Sequence, residues 1–190
     1  KSSKLINKIV IASNNKKFIN IAKKYGFDYL INRDPDMSFD FISLDDVLIS
    51  VSEKLKAKSL KPDYLMCLSI AFPFRKRYFL DDILKYTISG KFKKVQPVIR
   101  ESKAIWKQSE NHTFRLDEGS FPKKYKNKIS IGLGGLCSIY HNNPIFESIH
   151  NTNTGLFIVD NDLSSIDART TLGSIITKTL LTNWWKKEYK

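Results

Sequence analysis

Two arginines each follow a predicted strand, and a guanidinium at such a position can bind a phosphate or carboxylate group through paired N–H donors. Arg33 comes after the apolar run 27–31, and Arg75 follows the next buried strand along the chain. Ligands of layered α/β sheets bind beyond the carboxyl ends of the strands, where we expect both side chains to lie. The alternative roles are structural: Arg33 pairs with Asp34 or Asp36 in its own loop, and Arg75 is a solvated surface residue.

The stretch from Lys8 to Gly26 positions the first of these arginines. Its apolar run, 9–12, is rich in β-branched residues and too short for a helix, so it predicts a buried strand. Ser13 and Asn14 follow, and their types are typical of residues that end a strand and cap a helix. The helix after them is predicted to bury a face formed by Phe18, Ile21, Ala22 and Tyr25. Strand, loop, helix and strand together indicate half of a parallel α/β sheet.

The rest of the chain alternates strands and helices in the same way. Ser43, with Asp46 three residues later, predicts a helix start. Pro97, inside a predicted strand, indicates an edge strand or a bulge. Residues 101–131 are polar and lysine-rich, and they predict an excursion from the sheet. We therefore predict an α/β fold with a mostly parallel sheet flanked by helices, built as a single domain over residues 1–190. Its other elements are a strand at 63–69, a helix at 79–89, strands at 95–99, 133–140 and 155–159, and a closing helix at 171–187.

Charge and composition limit the classes of function. The formal net charge is +13, but the lysines are spread along the chain, which favours a solvated surface over a nucleic-acid interface. No run of about 18 or more apolar residues exists, so we expect no membrane span. Cys67 and Cys137 each lie in an apolar run, which indicates a reducing, cytoplasmic setting without a disulfide framework. His112, His141 and His150 lack the spacing of metal ligands and are expected on the surface.

Four segments, in order, resemble the acylneuraminate cytidylyltransferases, the CMP-sugar synthetases that activate sialic-type sugar acids. KIVIASNNKKFINIAKKYGFDYLINR is similar to the family's first strand, loop, helix and following Arg, and RDPDMSFDFISLDDVL to its R-P-x-x-L-A-x-D stretch. LSIAFPFR stands where the family has L-Q-P-T-S-P-L-R, and SSIDART where it has S-[IV]-D-I-D-T. The resemblance runs over residues 5–100 and 120–185. It implies a nucleotide-diphospho-sugar transferase-like, Rossmann-like fold.

The same resemblance implies a reaction and a site. CMP would pass from CTP to an acylneuraminate-type (nonulosonic) sugar acid with release of pyrophosphate, assisted by Mg²⁺ or another divalent cation. The residues that match the family's motifs are Arg75 and Asp167 as catalytic residues, Asp167 also as metal ligand, and Ser13, Asn14, Arg33, Asp40 and Arg169 as nucleotide contacts. From residue type alone, Ser13 and Asn14 are equally typical of caps, Asp40 of a turn, and Asp167 of a helix cap.

Several departures from the family pattern favour a second interpretation. Nothing before Lys1 supplies the family's phosphate-binding loop, so we expect the domain to be N-terminally incomplete. The second Asp of the family's Asp-x-Asp pair is Arg169, which would either repel a metal or replace it as a fixed counter-charge for phosphate. The alternative is therefore a non-catalytic relative that binds a nucleotide or a protein partner. Family members dimerise through the excursion, which implies a homodimer here.

Overall fold

The structure, a computed structural model, describes residues 3–27, 29–38, 42–117, 119, 121, 122, 124, 125, 127–142, 145, 147 and 153–189. Asp40 and His150 lie outside the described residues. The chain divides into two compact units. The first unit comprises Lys1–Leu68, Lys76–Val95 and Ser138–Gly155, and the second comprises Ser69–Arg75, Gln96–Cys137 and Leu156–Lys190. That residues 1–190 form a single domain, and that the excursion at 101–131 serves in dimerisation, stay predictions.

The described elements follow the predicted alternation of strands and helices. None of the described helices is both long and apolar enough to cross a membrane. Short 3₁₀ turns lie at Pro35–Ser38 and Asp162–Ser165. In chain order the elements are β1 (Val10–Ser13), α1 (Lys16–Lys24), β2 (Tyr29–Asn32), α2 (Leu44–Ala57), β3 (Tyr64–Cys67), α3 (Phe79–Ser89), β4 (Lys94–Glu101), β5 (Trp106–Gln108), β6 (Thr113–Arg115), β7 (Ile129–Gly132), β8 (Ser138–His141), β9 (Thr154–Ile158) and α4 (Thr171–Tyr189).

The predicted strand–helix–strand unit opens the first compact unit. β1 and β2 pair in parallel, and α1 connects them as the crossover that a parallel pair requires. The Asn15 side chain caps α1 by accepting a hydrogen bond from the Lys17 backbone N–H at 2.9 Å. The predicted buried face is only partly correct, because Ala22 is buried but Phe18 and Tyr25 are 49% and 69% exposed. Since the described sheet under α1 has only two strands, it covers a narrow stripe of the helix.

The prediction of a mostly parallel sheet is wrong for the larger sheet. β8 lies between β3 and the start of β4 and runs antiparallel to both. β3 and β4 are therefore parallel to each other and joined by α3, as predicted, but an antiparallel strand separates them. The later part of β4 pairs with β7, again antiparallel. The apolar pattern of a buried strand does not encode its direction, so the sequence could not reveal this arrangement.

Pro97 does not mark an edge strand. In the second unit β4 pairs with β7 and also with β9, so it has a neighbour on each side. Pro97 is fully buried, and it lies one residue before the register with β7 begins at Val98. Its carbonyl still accepts a hydrogen bond from the Leu133 N–H at 2.7 Å. The missing N–H is therefore placed where the ladder does not need it.

Each unit has its own apolar packing. In the first unit the buried side chains of Leu48, Tyr140 and Ile145 form a cluster. In the second, the fully buried ring of Phe74 meets Trp184 edge-on, with ring centroids 5.4 Å apart. This contact fastens α4 to the loop that follows β3 and so fixes the loop that carries Arg75.

The predicted excursion contains a hairpin of β5 and β6. Trp106 pairs with Arg115 across the two strands, and the Arg115 guanidinium lies 5.5 Å from the Trp106 ring centroid. Arg115 also forms an ion pair with Asp117 at 2.7 Å, and that carboxylate is almost fully buried. Phe114 and Trp106 remain 51% and 58% exposed. The hairpin is thus ordered by polar contacts while it presents aromatic rings to solvent.

Candidate functional site

In the first unit, the carboxyl ends of β1 and β2 bring Ser13, Asn14 and Arg33 together. The strands end at the paired residues Ser13 and Asn32, and the Arg33 N–H donates to the Ser13 carbonyl at 3.2 Å. The Ser13 hydroxyl accepts a hydrogen bond from the Asn15 N–H at 3.1 Å, whereas Asn14 is exposed. Ser13 therefore shapes the turn into α1, and Asn14 is accessible to a ligand. Their predicted role as nucleotide contacts stays a prediction.

Arg33 has a buried polar atom that the described part of the chain does not satisfy. Its Nε is buried and has no hydrogen-bond partner among the described residues. The alternative pairing with Asp34 is not formed, because that carboxylate binds Lys54 Nζ at 2.9 Å. An open cleft of about 420 Å³ lies next to this loop, with Asp34 and Met37 in its wall. A buried donor without a partner is costly, so Arg33 is a good candidate for binding an anion.

In the second unit, Arg75 binds the backbone around it. Its Nε donates to the Leu136 carbonyl at 2.8 Å, and its Nη2 donates to the carbonyls of Ser69 at 2.6 Å and Gly135 at 3.3 Å. Charged donors form hydrogen bonds to carbonyls that are stronger than neutral ones. Arg75 thus holds the loop after β3 against the turn at 133–136. Direct contact between Arg75 and a substrate stays a prediction.

The turn at 133–136 needs glycine at one position because a phenylalanine ring lies against it. A Cβ on Gly135 would overlap the ring of Phe72, which is itself buried. The Ser69 N–H donates to the Gly135 carbonyl at 2.9 Å and closes the contact from the other side. Glycine at position 135 therefore has a packing reason in this chain.

Asp167 and Arg169 form a side-on ion pair. Arg169 Nε lies 3.0 Å from Oδ1 and 3.1 Å from Oδ2 of Asp167, and Nη2 lies 2.6 Å from Oδ2. The Arg169 backbone N–H also donates to Oδ1 at 2.9 Å. The hydrogen bonds from Arg169 lower the pKa of Asp167, and the carboxylate in turn raises the pKa of Arg169. Arg169 therefore turns back onto Asp167 and neutralises its charge.

Thr170, not Asp167, is the cap of α4. The Thr170 hydroxyl accepts a hydrogen bond from the Gly173 N–H at 3.0 Å and donates to the Asp167 carbonyl at 3.0 Å. A Cβ on Gly173 would overlap the Asp167 carbonyl oxygen, so the helix starts directly against this turn. The Ala168 N–H donates to the Ala71 carbonyl at 2.8 Å and joins the turn to the loop after β3. The side-chain cap suggested for Asp167 is thus supplied by its neighbour.

A divalent cation, which the family resemblance implies, does not fit Asp167 in this arrangement. Mg²⁺ prefers carboxylate oxygens together with phosphate and water oxygens. Both oxygens of Asp167 already accept hydrogen bonds from Arg169, and the two charges cancel. Among the described residues, no group of three or more His, Cys, Asp or Glu side chains could hold a metal ion.

Two of the three histidines, His112 and His141, lie within the described residues, and both contact aromatic rings. His112 is exposed and stacks on Phe114, with centroids 5.9 Å apart. His141 is half-buried in β8, and its ring meets Tyr64 edge-on at 5.2 Å. The prediction that His141 lies on the surface is therefore wrong, because its position in β8 places it against the neighbouring strand.

Sequence reasoning missed Tyr189, which supports the loop of Arg75. Its hydroxyl donates to the Arg75 carbonyl at 2.6 Å, and its ring stacks on Trp185 with centroids 4.2 Å apart. Trp184 packs inward, whereas Trp185 is half-exposed. The signal in the sequence was a group of three aromatic residues in the last turns of α4. Of these, Trp185 and Tyr189 are four positions apart and therefore lie next to each other on the helix surface.

The comparisons with known proteins reveal a shared fold. No family model matches the sequence, and no curated protein is detectably similar to it. Among solved structures, a CMP:2-keto-3-deoxy-manno-octonic acid synthetase complexed with CTP superposes with a TM-score of 0.52 at 11% identity, over 94% of this chain and 69% of that one. A 4-diphosphocytidyl-2C-methyl-D-erythritol synthase from Anaerococcus prevotii superposes with a TM-score of 0.56 at 14% identity, over 94% of this chain and 80% of that one.

These likenesses define a class of fold. The chain shares its mixed α/β fold with both of these cytidylyltransferases. At such low identity the likeness concerns the fold alone, and it does not select the acylneuraminate family among cytidylyltransferases.

Proposed function

We propose that this chain is a nucleotidyltransferase that transfers CMP from CTP to an acylneuraminate-type sugar acid and releases pyrophosphate. One observation carries the proposal: two segments that resemble the family's motifs, 69–75 and 167–170, meet in the second unit, where the first also contacts the turn 133–136. The loop 69–75, the turn 133–136 and the turn 167–170 are far apart in sequence, yet backbone hydrogen bonds join the first to each of the others. A shared fold with two cytidylyltransferases supports the same conclusion.

The proposed reaction needs positioned cations more than covalent chemistry. The hydroxyl oxygen of the sugar acid attacks the α-phosphorus of CTP and releases its proton to solvent. A new O–P bond forms, and the bond between the α-phosphorus and the oxygen that bridges it to the β-phosphate breaks as pyrophosphate leaves. Negative charge builds on the phosphate oxygens, and fixed guanidinium groups can stabilise it. Within the second unit, Arg169 has donors available for this task, whereas Arg75 holds the loop in place. Within the first unit, Arg33 has a buried Nε available to an anion. Asp167 is already paired with Arg169 and offers no free carboxylate to a metal ion in this step.

A pyrophosphate-release assay tests this function directly. The protein is incubated with CTP and a panel of nonulosonic acids, with UTP and ATP as nucleotide controls. We expect release with CTP and one of the acids, and a loss of at least tenfold in kcat/KM for Arg33→Ala. Arg100→Ala removes an exposed arginine of β4 and is the charge-matched control. Equal release with all three nucleotides, or none with any acid, would contradict the proposal.

A second candidate is a non-catalytic relative that binds a nucleotide or a protein partner. The ion pair of Asp167 with Arg169 favours it, because it removes the carboxylate that the reaction's metal would use. This candidate predicts heat of CTP binding by calorimetry without any pyrophosphate release. Measured release with any sugar acid would exclude it.

We also propose that the chain forms a homodimer through residues 101–131. The location we propose for it is the cytoplasm. The exposed rings of Trp106 and Phe114 on the β5–β6 hairpin support this assembly, since an isolated two-stranded hairpin gains stability by covering its faces. Light scattering should give twice the chain mass. Replacing both rings by serine should restore the monomer, and an unchanged dimer would show that another surface is used.

A further inference from the structure

The Asp167–Arg169 pair holds a guanidinium in a fixed place and does not present a carboxylate that is ready to bind a metal. Four hydrogen-bond contacts from Arg169 fall on the two carboxylate oxygens, at 2.6–3.1 Å. A divalent ion at this carboxylate would have to displace the guanidinium. It would also meet a neutral pair instead of a negative charge, so the electrostatic attraction that normally concentrates Mg²⁺ is missing.

The backbone holds this pair in one place. The Asp167 carbonyl accepts hydrogen bonds from the N–H of Thr170 at 3.1 Å and from its hydroxyl at 3.0 Å. Ala168 is tied to the Ala71 carbonyl, and Gly173 packs directly on the turn. Because the turn is fixed at both ends, the guanidinium does not need to be ordered when a ligand arrives.

The outer edge of Arg169 is available for a second partner. Asp167 uses the edge formed by Nε and Nη2, so both N–H groups of Nη1 and one of Nη2 remain. The Arg169 side chain is 72% exposed, and the described residues provide no further partner for it. Two parallel N–H groups at this edge match the spacing of phosphate oxygens.

We propose that Arg169 takes the place of a divalent cation at this turn, so that phosphate groups bind here without a metal. The inference rests on the proposed function for the identity of the nucleotide, but its core is a claim about this anion site alone. Asp167 then acts as a positioning residue, which orients the guanidinium and does not touch the ligand.

The first experiment uses a metal alone. Mn²⁺ is titrated into the full chain and followed by paramagnetic resonance of the free ion. We expect Asp167→Asn to leave Mn²⁺ binding unchanged within twofold. Arg169→Asp supplies two carboxylates at i and i+2, and we expect it to tighten Mn²⁺ binding at least tenfold. A wild-type site that weakens tenfold in Asp167→Asn, or no gain in Arg169→Asp, would overturn the inference.

The second experiment uses pyrophosphate in EDTA, which probes the anion site without a base, a sugar or a metal. Calorimetry should detect binding by the wild type. We expect Arg169→Gln to weaken it at least tenfold, Arg169→Lys to weaken it less, and the control Arg100→Ala to leave it unchanged. Thermal unfolding of each variant checks that the fold is intact. No binding in EDTA, or equal binding by Arg169→Gln, would overturn the inference.

The two experiments separate this inference from the proposed function. If CTP binds only with Mg²⁺ and pyrophosphate does not bind in EDTA, the inference fails while the proposed function stands. If pyrophosphate binds through Arg169 but CTP and the sugar acids give no release, the anion site stands and the proposed function fails.

Discussion

Arg33 and Arg75 both lie in loops that follow a strand, but their surroundings differ. Arg75, in the second unit, donates to three backbone carbonyls. Arg33, in the first unit, keeps a buried Nε that no described residue satisfies. A guanidinium that already binds its own backbone stabilises a loop, whereas one with an unsatisfied donor is available to a ligand. Position after a strand predicts where such a residue lies but not which of these two roles it takes.

The difference follows from how each arginine's neighbours are connected. β1 and β2 end side by side, so the first unit presents an open strand edge at Arg33. In the second unit, the carbonyls of the turn at 133–136 point at Arg75 because Gly135 lets Phe72 pack against the turn. The first unit thus leaves Arg33 Nε without an acceptor among the described residues, whereas the glycine turn of the second unit directs backbone carbonyls at Arg75.

The largest expected effect separates the two arginines by stability. Arg75→Ala leaves the carbonyls of Ser69, Gly135 and Leu136 without their charged donor, and we expect a loss of about 2–4 kcal/mol in the free energy of unfolding. Arg33→Ala removes no hydrogen bond of the described residues, and we expect a change within about 0.5 kcal/mol. Urea denaturation of both variants measures the difference. Equal losses would break the comparison.

Ligand binding should order substitutions at the same two arginines in the reverse sequence. CTP affinity is measured at a temperature where both are folded. Arg33→Ala should lose most of the affinity for CTP. Arg75→Lys keeps the charge but lacks the planar set of N–H donors, so it should retain CTP binding and lose part of its stability. If Arg75→Lys lost affinity at unchanged stability, Arg75 would belong with the ligand contacts after all.

Gly173 tests how rigidly the second unit holds its turn. Alanine is the better helix former, but its Cβ would overlap the Asp167 carbonyl oxygen and lie 2.7 Å from Thr170 Oγ1. We expect Gly173→Ala to cost about 1–3 kcal/mol, as overpacking does elsewhere. Ser174→Ala adds no atom to the turn and is the control. A stabilised Gly173→Ala would mean that the turn can move, which would weaken the case for a fixed Arg169.

Local signals in the sequence predicted most elements. α3 spans Phe79–Ser89 as expected, and Ser43 caps α2 by accepting from the Asp46 N–H at 3.1 Å. Helix periodicity and cap residues act within one turn, so a single sequence contains them. The direction of β8 was not predictable, because it depends on a chain that returns to the sheet more than forty residues after β4 begins.

The positions of the candidate residues in the fold were predictable, and their hydrogen bonds were not. Ser13, Asn14 and Arg33 do lie at the ends of their strands, as the alternation of apolar and polar residues indicated. The carbonyl partners of Arg75 come from residues 60 and 61 positions away, and backbone acceptors have no signature in sequence. For Arg169, the sequence left two roles open, repulsion of a metal or its replacement. The ion pair with Asp167 depends on the conformation of the folded turn, which the sequence pattern does not specify.

A smaller effect is expected where the C-terminal helix supports Arg75. Tyr189→Phe removes the 2.6 Å hydrogen bond to the Arg75 carbonyl and keeps the stacking on Trp185. We expect a loss of about 1 kcal/mol, the usual contribution of one hydrogen bond. Tyr125→Phe, at a 70% exposed tyrosine, should change nothing. Unfolding in urea, monitored by tryptophan fluorescence, resolves the two, and equal midpoints would remove Tyr189 from the support of the loop.

The smallest effect is the pH dependence of the Asp167–Arg169 pair. Because Arg169 lowers the pKa of Asp167 in the folded state, the pair stabilises the fold above the carboxyl's unfolded pKa of about 3.9 and loses this contribution as the pH falls through the lower folded value. The Arg169 side chain is 72% exposed and solvent screens the pair, so the contribution should stay below about 1 kcal/mol.

Arg169→Gln should therefore be less stable than the wild type by a constant amount above about pH 5, with the difference vanishing in stronger acid. Glu101, whose pKa is also lowered, titrates equally in both proteins and cancels in the comparison. Denaturation of the two proteins at several pH values measures the difference, and added salt should reduce it. A difference in stability that grows in acid would mean that Arg169 destabilises the turn. The contrast between paired arginines in the second unit and the unsatisfied Nε of Arg33 in the first would then no longer hold.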